Sequence, residues 1–81
     1  MPRLTAVRWQ VLECIFKKDG FVFEREEGDH RSYIKPGVLR PIVIPKYKAV
    51  CIDIIQANMR TAKMTRESYF EYLACAVLDI T

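Results

Sequence analysis

Two tight turn signals constrain this chain most: Gly28-Asp29 and Pro36-Gly37 fall between three strand-like runs, residues 21–26, 30–35 and 39–44. Runs this close in sequence pair as antiparallel neighbours, because a parallel connection needs a crossover of about a dozen residues or more. The first run opens on Phe21, Val22 and Phe23 and then turns polar, the second carries Tyr33 and Ile34, and the third carries Leu39, Ile42, Val43 and Ile44. These are the aromatic and branched residues that suit a pleated, half-buried surface. Pro41 lies inside the third run and has no N–H to give to a ladder, which predicts an edge strand or a bulge.

Helices flank this meander. Thr5 is the expected N-cap of the first, with Val7, Val11, Leu12, Ile15 and Phe16 at helical spacing. Lys17 and Lys18 suit its C-terminus, and Gly20 can take the left-handed terminating conformation. A second helix is expected from Asp53, as N-cap, to near Ala62, burying Ile55, Met59 and Ala62. A third starts after Thr65, with Glu67 in its first turn. Its Tyr69, Leu73, Ala76, Val77 and Ile80 share one face, which Phe70, Ala74 and Leu78 widen. That breadth suggests a homodimer or another partner contact, with deeper burial in the chain's own core as the alternative. The order α-β-β-β-α-α describes an α+β fold, a three-stranded antiparallel sheet with helices on one face, and 81 residues make one domain, residues 1–81.

Composition narrows the function classes. The chain is 51% hydrophobic and 28% charged, as in a soluble globular domain, and no run approaches the length of a membrane span. Gln10 and Glu13 interrupt the first apolar stretch, so no signal peptide is expected there and a cytoplasmic location is. The three cysteines, Cys14, Cys51 and Cys75, are odd in number and far apart, and a single histidine cannot complete a Cys/His cluster. They read as reduced, partly buried thiols, with no metal and no cofactor expected. Net charge is +3, unevenly spread: residues 19–29 hold five acidic groups against Arg25, and residues 31–63 hold seven basic groups against Asp53. A basic half can attract RNA, although a solvated surface explains it equally well.

The one histidine, His30, stands at the entrance to the second strand, after Gly28-Asp29. An imidazole can give or take a proton at cellular pH, yet a lone histidine in a small domain is more often a surface residue than a catalyst. Its surroundings supply further context. Lys18-Asp19-Gly20-Phe21, the strand Phe21-Val22-Phe23-Glu24-Arg25, Gly28-Asp29-His30, and Ile42-Val43-Ile44-Pro45 followed by Lys46 and Lys48 occur in the order and spacing of a known family. On these pieces the chain resembles the HicA-type, YcfA-like mRNA interferase toxins of toxin–antitoxin pairs. It differs from their usual pattern at Asp29 (serine), Glu26-Glu27 (polar or basic), Tyr47 (histidine), Asp53-Ile54 (Gly-Thr), Asn58 (apolar) and Lys63 (glycine).

The resemblance implies a fold similar to a double-stranded RNA-binding domain and metal-independent cleavage of mRNA. It also implies a HicB-type antitoxin as partner, and His30 as the catalytic residue. RNA cleaves when its 2′-hydroxyl attacks the adjacent phosphate, a step that needs a base, an acid and a group to stabilise the phosphorane. One histidine does not serve as base and acid together in a concerted step. Arg31, Lys46 and Lys48 are the nearest groups for phosphate contact, and Tyr33 and Tyr47 for stacking on an unpaired base. The plainer alternatives are solvated lysines and tyrosines packed on the sheet. Two other functions compete: a non-catalytic RNA-binding module, and a diverged inactive toxin acting as a protein-interaction domain.

Overall fold

A computed structural model describes residues 3–80 of the backbone and the side chains of residues 3–78. The elements run α1 (Trp9–Lys18), β1 (Val22–Glu27), β2 (His30–Ile34), β3 (Ile42–Pro45), α2 (Ile52–Ala62) and α3 (Arg66–Ile80). The three strands form one antiparallel sheet in the order β1-β2-β3. The architecture is the α+β meander with flanking helices that the turn signals predict.

Both turns behave as their residues require. Glu27 pairs with His30, so Gly28-Asp29 is a two-residue hairpin loop, and Gly28 takes φ +56 at its first position. Positive φ there matches the twist of the flanking strands and is the reason glycine suits the position. At the second turn the Val38 N–H bonds to the Lys35 carbonyl at 3.1 Å, with Pro36 and then Gly37 (φ +88) between them, the type II arrangement. β3 is an edge strand, as Pro41 predicts, but it starts after the proline, and Leu39 is fully exposed rather than in the strand.

The first helix begins later than expected. Thr5 does not cap it; Arg8 occupies the N-cap position, and Val7 instead forms an isolated antiparallel bridge with Val50. Lys17, Lys18 and Gly20 (φ +110) end the helix as expected. α2 begins with Cys51 as N-cap, and Asp53 lies in its first turn, where a carboxylate favours the macrodipole. α3 is capped by Thr65, whose Oγ1 accepts the Ser68 N–H at 3.0 Å.

The core joins Leu12, Ile15 and Phe16 of α1 to Tyr33, Ile42 and Ile44 of the sheet, Ile55 and Met59 of α2, and Tyr69 and Ala76 of α3. Asn58 is buried and donates to the Val43 carbonyl on β3 at 2.9 Å. On α3, Tyr69 and Ala76 are buried while Val77 and Leu78 are exposed, so the widened face is only partly used by the core. The side chain of Ile80, the last member of that face, lies outside the described residues. Cys14 is half-buried, whereas Cys51 and Cys75 are exposed, against the expectation of partial burial for all three.

Candidate active site

Strand alternation divides the predicted site residues between two faces of the sheet. Successive side chains of a strand point to opposite sides. On β2, Arg31 and Tyr33 pair with the buried Ile44 and Ile42 and face the helices. His30 and Ser32 pair with Pro45 and Val43 and belong to the other face, where His30 is exposed.

The helix-side face holds a closed network. Arg31 Nη2 lies 3.1 Å from Glu13 Oε2 on α1, Nη1 donates to Glu26 Oε1 at 2.8 Å, and Nε donates to the Tyr33 hydroxyl at 2.9 Å. The Tyr33 hydroxyl in turn donates to Glu13 Oε2. The guanidinium carbon sits 4.3 Å from the Phe23 ring centroid and 5.4 Å from that of Trp9, a cation–π stack that suits planar arginine. Lys46 completes the group, with Nζ 3.5 Å from Glu26 and 5.6 Å from the Trp9 centroid.

The electrostatics follow this geometry. The hydrogen bond from Arg31, aided by the charge of Lys46, holds the Glu26 carboxyl below its ordinary pKa. The Tyr33 hydroxyl and the two carboxylates raise the Arg31 guanidinium against the opposing effect of burial. Burial first, and then the bond to Glu13, pushes the Tyr33 phenol well up.

These contacts change two expectations. Tyr33 is fully buried, so it presents no ring face to an unpaired base and belongs to the core. Arg31 spends three of its N–H groups on the protein's own acceptors and is a structural cation. Lys46, Tyr47 and Lys48 form the exposed loop expected of them. This loop is tied to the hairpin tip, because the Lys46 N–H donates to the Asp29 carbonyl at 2.6 Å. It is also tied to α1, because the Trp9 N–H donates to the Tyr47 carbonyl at 3.2 Å.

The open face carries a second group that sequence reasoning did not join. Pairing jumps from Phe23–Tyr33 to Arg25–Ser32, so Glu24 is an extra residue in β1, a bulge. The bulge shifts the alternation, leaving Phe23 on the helix side and putting Arg25 and Glu27 on the face of His30. Glu27 is the direct cross-strand partner of His30, and Arg25 Nη1 lies 3.3 Å from Glu27 Oε1, with 67% and 71% of these side chains exposed. Period-two alternation in β2 is visible in the sequence and separates His30 from Arg31. The bulge that brings Arg25 and Glu27 to the histidine has no such local sign.

Among the described residues, no three histidine, cysteine, aspartate or glutamate side chains come together in a way that could hold a metal ion. No described helix is long and apolar enough to cross a membrane. The arrangement offers an exposed imidazole, a neighbouring carboxylate and nearby cations, the groups that acid–base chemistry on a phosphodiester uses.

A search of curated proteins finds no match. A family model described as the HicA toxin of bacterial toxin–antitoxin matches residues 9–64, from the first residue of α1 to the residue before the α3 cap. The matched stretch contains the whole sheet, the hairpin with His30 and the basic loop. With its order of elements and its glycine-hinged histidine hairpin, the chain belongs to the HicA toxin family of toxin–antitoxin systems.

Proposed function

We propose that this toxin is a metal-independent endoribonuclease that cleaves mRNA in the cytoplasm, with His30 as a general acid or base. One observation carries the reading. His30 is exposed at the first position of β2, and the 2.6 Å bond from the Lys46 N–H to the Asp29 carbonyl ties the basic loop to the residue before it. Lys48 and Tyr47, both exposed, are then available to an RNA strand approaching the hairpin tip. An antitoxin of the paired system, of HicB type, is the partner that would cover this tip.

The test uses end-labelled single-stranded RNA in the presence of a chelator. Wild-type protein is expected to generate fragments ending in 2′,3′-cyclic phosphate, and His30→Ala is expected to generate none while retaining its fold. Salt-dependent RNA binding without any cleavage by the wild type would instead establish a non-catalytic RNA-binding module. In cells, expression without the antitoxin is expected to halt growth for the wild type and to be harmless for His30→Ala.

A further inference from the structure

We propose that Glu27 is the second proton-transfer group of the reaction, acting as general base beside His30 as general acid, with Arg25 as the phosphate-facing cation. The inference rests on the endoribonuclease reading above and supplies the partner that a single histidine lacks.

The observation is a juxtaposition on the open face of the sheet. Glu27 and His30 are directly opposed across the hairpin. Directly opposed residues of an antiparallel pair hold their Cβ atoms about 4.5–5.5 Å apart, so a glutamate and a histidine there can reach either side of one phosphodiester. Arg25 lies on the same face and already contacts the Glu27 carboxylate at 3.3 Å, so a cation is held where charge would develop on a bound phosphate. All three side chains are largely exposed, and none is committed to the core. The cations on the opposite face are different: each of the three Arg31 nitrogens already contacts a protein acceptor, and Lys46 is shared between Glu26 and Trp9. The bulge at Glu24 creates this constellation, because without it Arg25 and Glu27 would share the face of Phe23.

The step balances with no added reactant. The Glu27 carboxylate takes the proton of the 2′-hydroxyl as the 2′-oxygen bonds to phosphorus. The bond from phosphorus to the 5′-oxygen breaks, and protonated His30 hands its proton to that oxygen. The products are a 2′,3′-cyclic phosphate and a 5′-hydroxyl, and water returns the proton from Glu27 to His30. Arg25 exchanges its contact with Glu27 for a non-bridging phosphate oxygen during the step.

The test compares Glu27→Gln, Glu27→Asp and Glu24→Gln with the wild type on the same labelled RNA, in steady-state kinetics. Glu27→Gln is expected to lower kcat by about a hundredfold or more, the usual range for losing a general base, with KM little changed or reduced. Glu27→Asp is expected to recover part of the loss. Glu24→Gln removes the same charge from the same strand and is expected to keep kcat within about threefold of the wild type. If Glu27→Gln cleaves at the wild-type rate while His30→Ala is inactive, the inference fails and the endoribonuclease reading stands. If Glu24→Gln falls as far as Glu27→Gln, the effect is one of general charge and the inference also fails. If the wild type cleaves no RNA, both fall. Exposure of Glu27 makes misfolding an unconvincing cause of loss, and circular dichroism of each variant checks it.

Discussion

Glu13 on α1 and Arg31 on β2 meet at 3.1 Å across the helix–sheet boundary, with only 18% and 21% of their side chains exposed. The pair fastens the first helix to the middle strand, and the same carboxylate oxygen accepts the Tyr33 hydroxyl. Replacing Glu13 by alanine leaves the Tyr33 hydroxyl and one arm of the Arg31 guanidinium without their acceptor in a poorly hydrated place. The expected cost is roughly 2–4 kcal/mol, read as a lower midpoint in urea unfolding. Glu13→Gln keeps an acceptor and is expected to lose less.

Tyr69 carries the opposite defect. It is 1% exposed, and its hydroxyl has no hydrogen-bond partner among the described residues. Tyr69→Phe is expected to stabilise the protein by about 1 kcal/mol, seen as a higher Tm, because the unpaired group no longer has to be desolvated. The same burial pushes the Tyr69 phenol up to about 12. A phenol whose pKa is raised on folding stays protonated in the native state after the unfolded chain has begun to ionise near its ordinary value of about 10. Its contribution is therefore intact below that pH and is lost as pH rises towards the folded value, at up to about 1.4 kcal/mol per pH unit. Tyr69→Phe is expected to flatten this alkaline loss in part, because the Tyr33 and Tyr72 phenols are also raised and contribute in the same direction.

Glu26 sets a dependence in acid. Its carboxyl is held below the ordinary range by Arg31 and Lys46, so its contribution is present above the unfolded carboxyl's pKa and is lost as pH falls through the lower folded value. Glu26→Gln is expected to have a smaller fall in Tm than the wild type between neutral pH and about pH 3. An equal fall in both proteins would mean that other carboxylates dominate acid unfolding.

Lys63 closes α2 in the left-handed conformation, φ +55, and is the one described non-glycine residue with positive φ. A side chain there costs about 1–2 kcal/mol that glycine avoids, offset in part by the greater freedom of glycine in the unfolded chain. Lys63→Gly is expected to raise stability by about 0.5–1 kcal/mol in urea unfolding, with no effect on the sheet.

Gly28 makes the reverse case at the hairpin tip. Nothing lies within 4 Å of where its Cβ would be, so backbone conformation alone penalises a side chain. Gly28→Val is expected to cost about 1–2 kcal/mol, and Gly28→Asn less, because asparagine tolerates positive φ. Under the proposed endoribonuclease function, RNA cleavage is expected to fall further in Gly28→Val than stability explains, because the loop sets the spacing of Glu27 and His30.

The turns and some of the element ends were legible because their signals are local, whereas Thr5 and Asp53 do not take the N-cap positions expected of them. Gly28-Asp29, Pro36-Gly37, Lys17-Lys18 and Thr65 each act through a neighbouring backbone group, and each lies where the expected element begins, ends or turns. Pro41 marks an edge strand as expected, but the strand starts after it. Val7 misled for the opposite reason: it fits a helical stripe, but its partner Val50 is distant in sequence, and their bridge outweighs the local pattern. Tyr33 and Arg31 drew attention as an aromatic and a cation beside the histidine. Their burial follows from facing α1, where Glu13 supplies the counter-charge.

From its residues alone the chain determines a three-stranded meander with a histidine at its first hairpin, because short turns leave antiparallel pairing as the available solution. Which side chains accompany that histidine was decided only by tertiary structure. Packing Phe23 against Tyr33 and Arg31 while keeping Glu27 opposite His30 puts an extra residue, Glu24, in the first strand. With a side-chain period of two, that single residue moves Arg25 and Glu27 from one face of the sheet to the other.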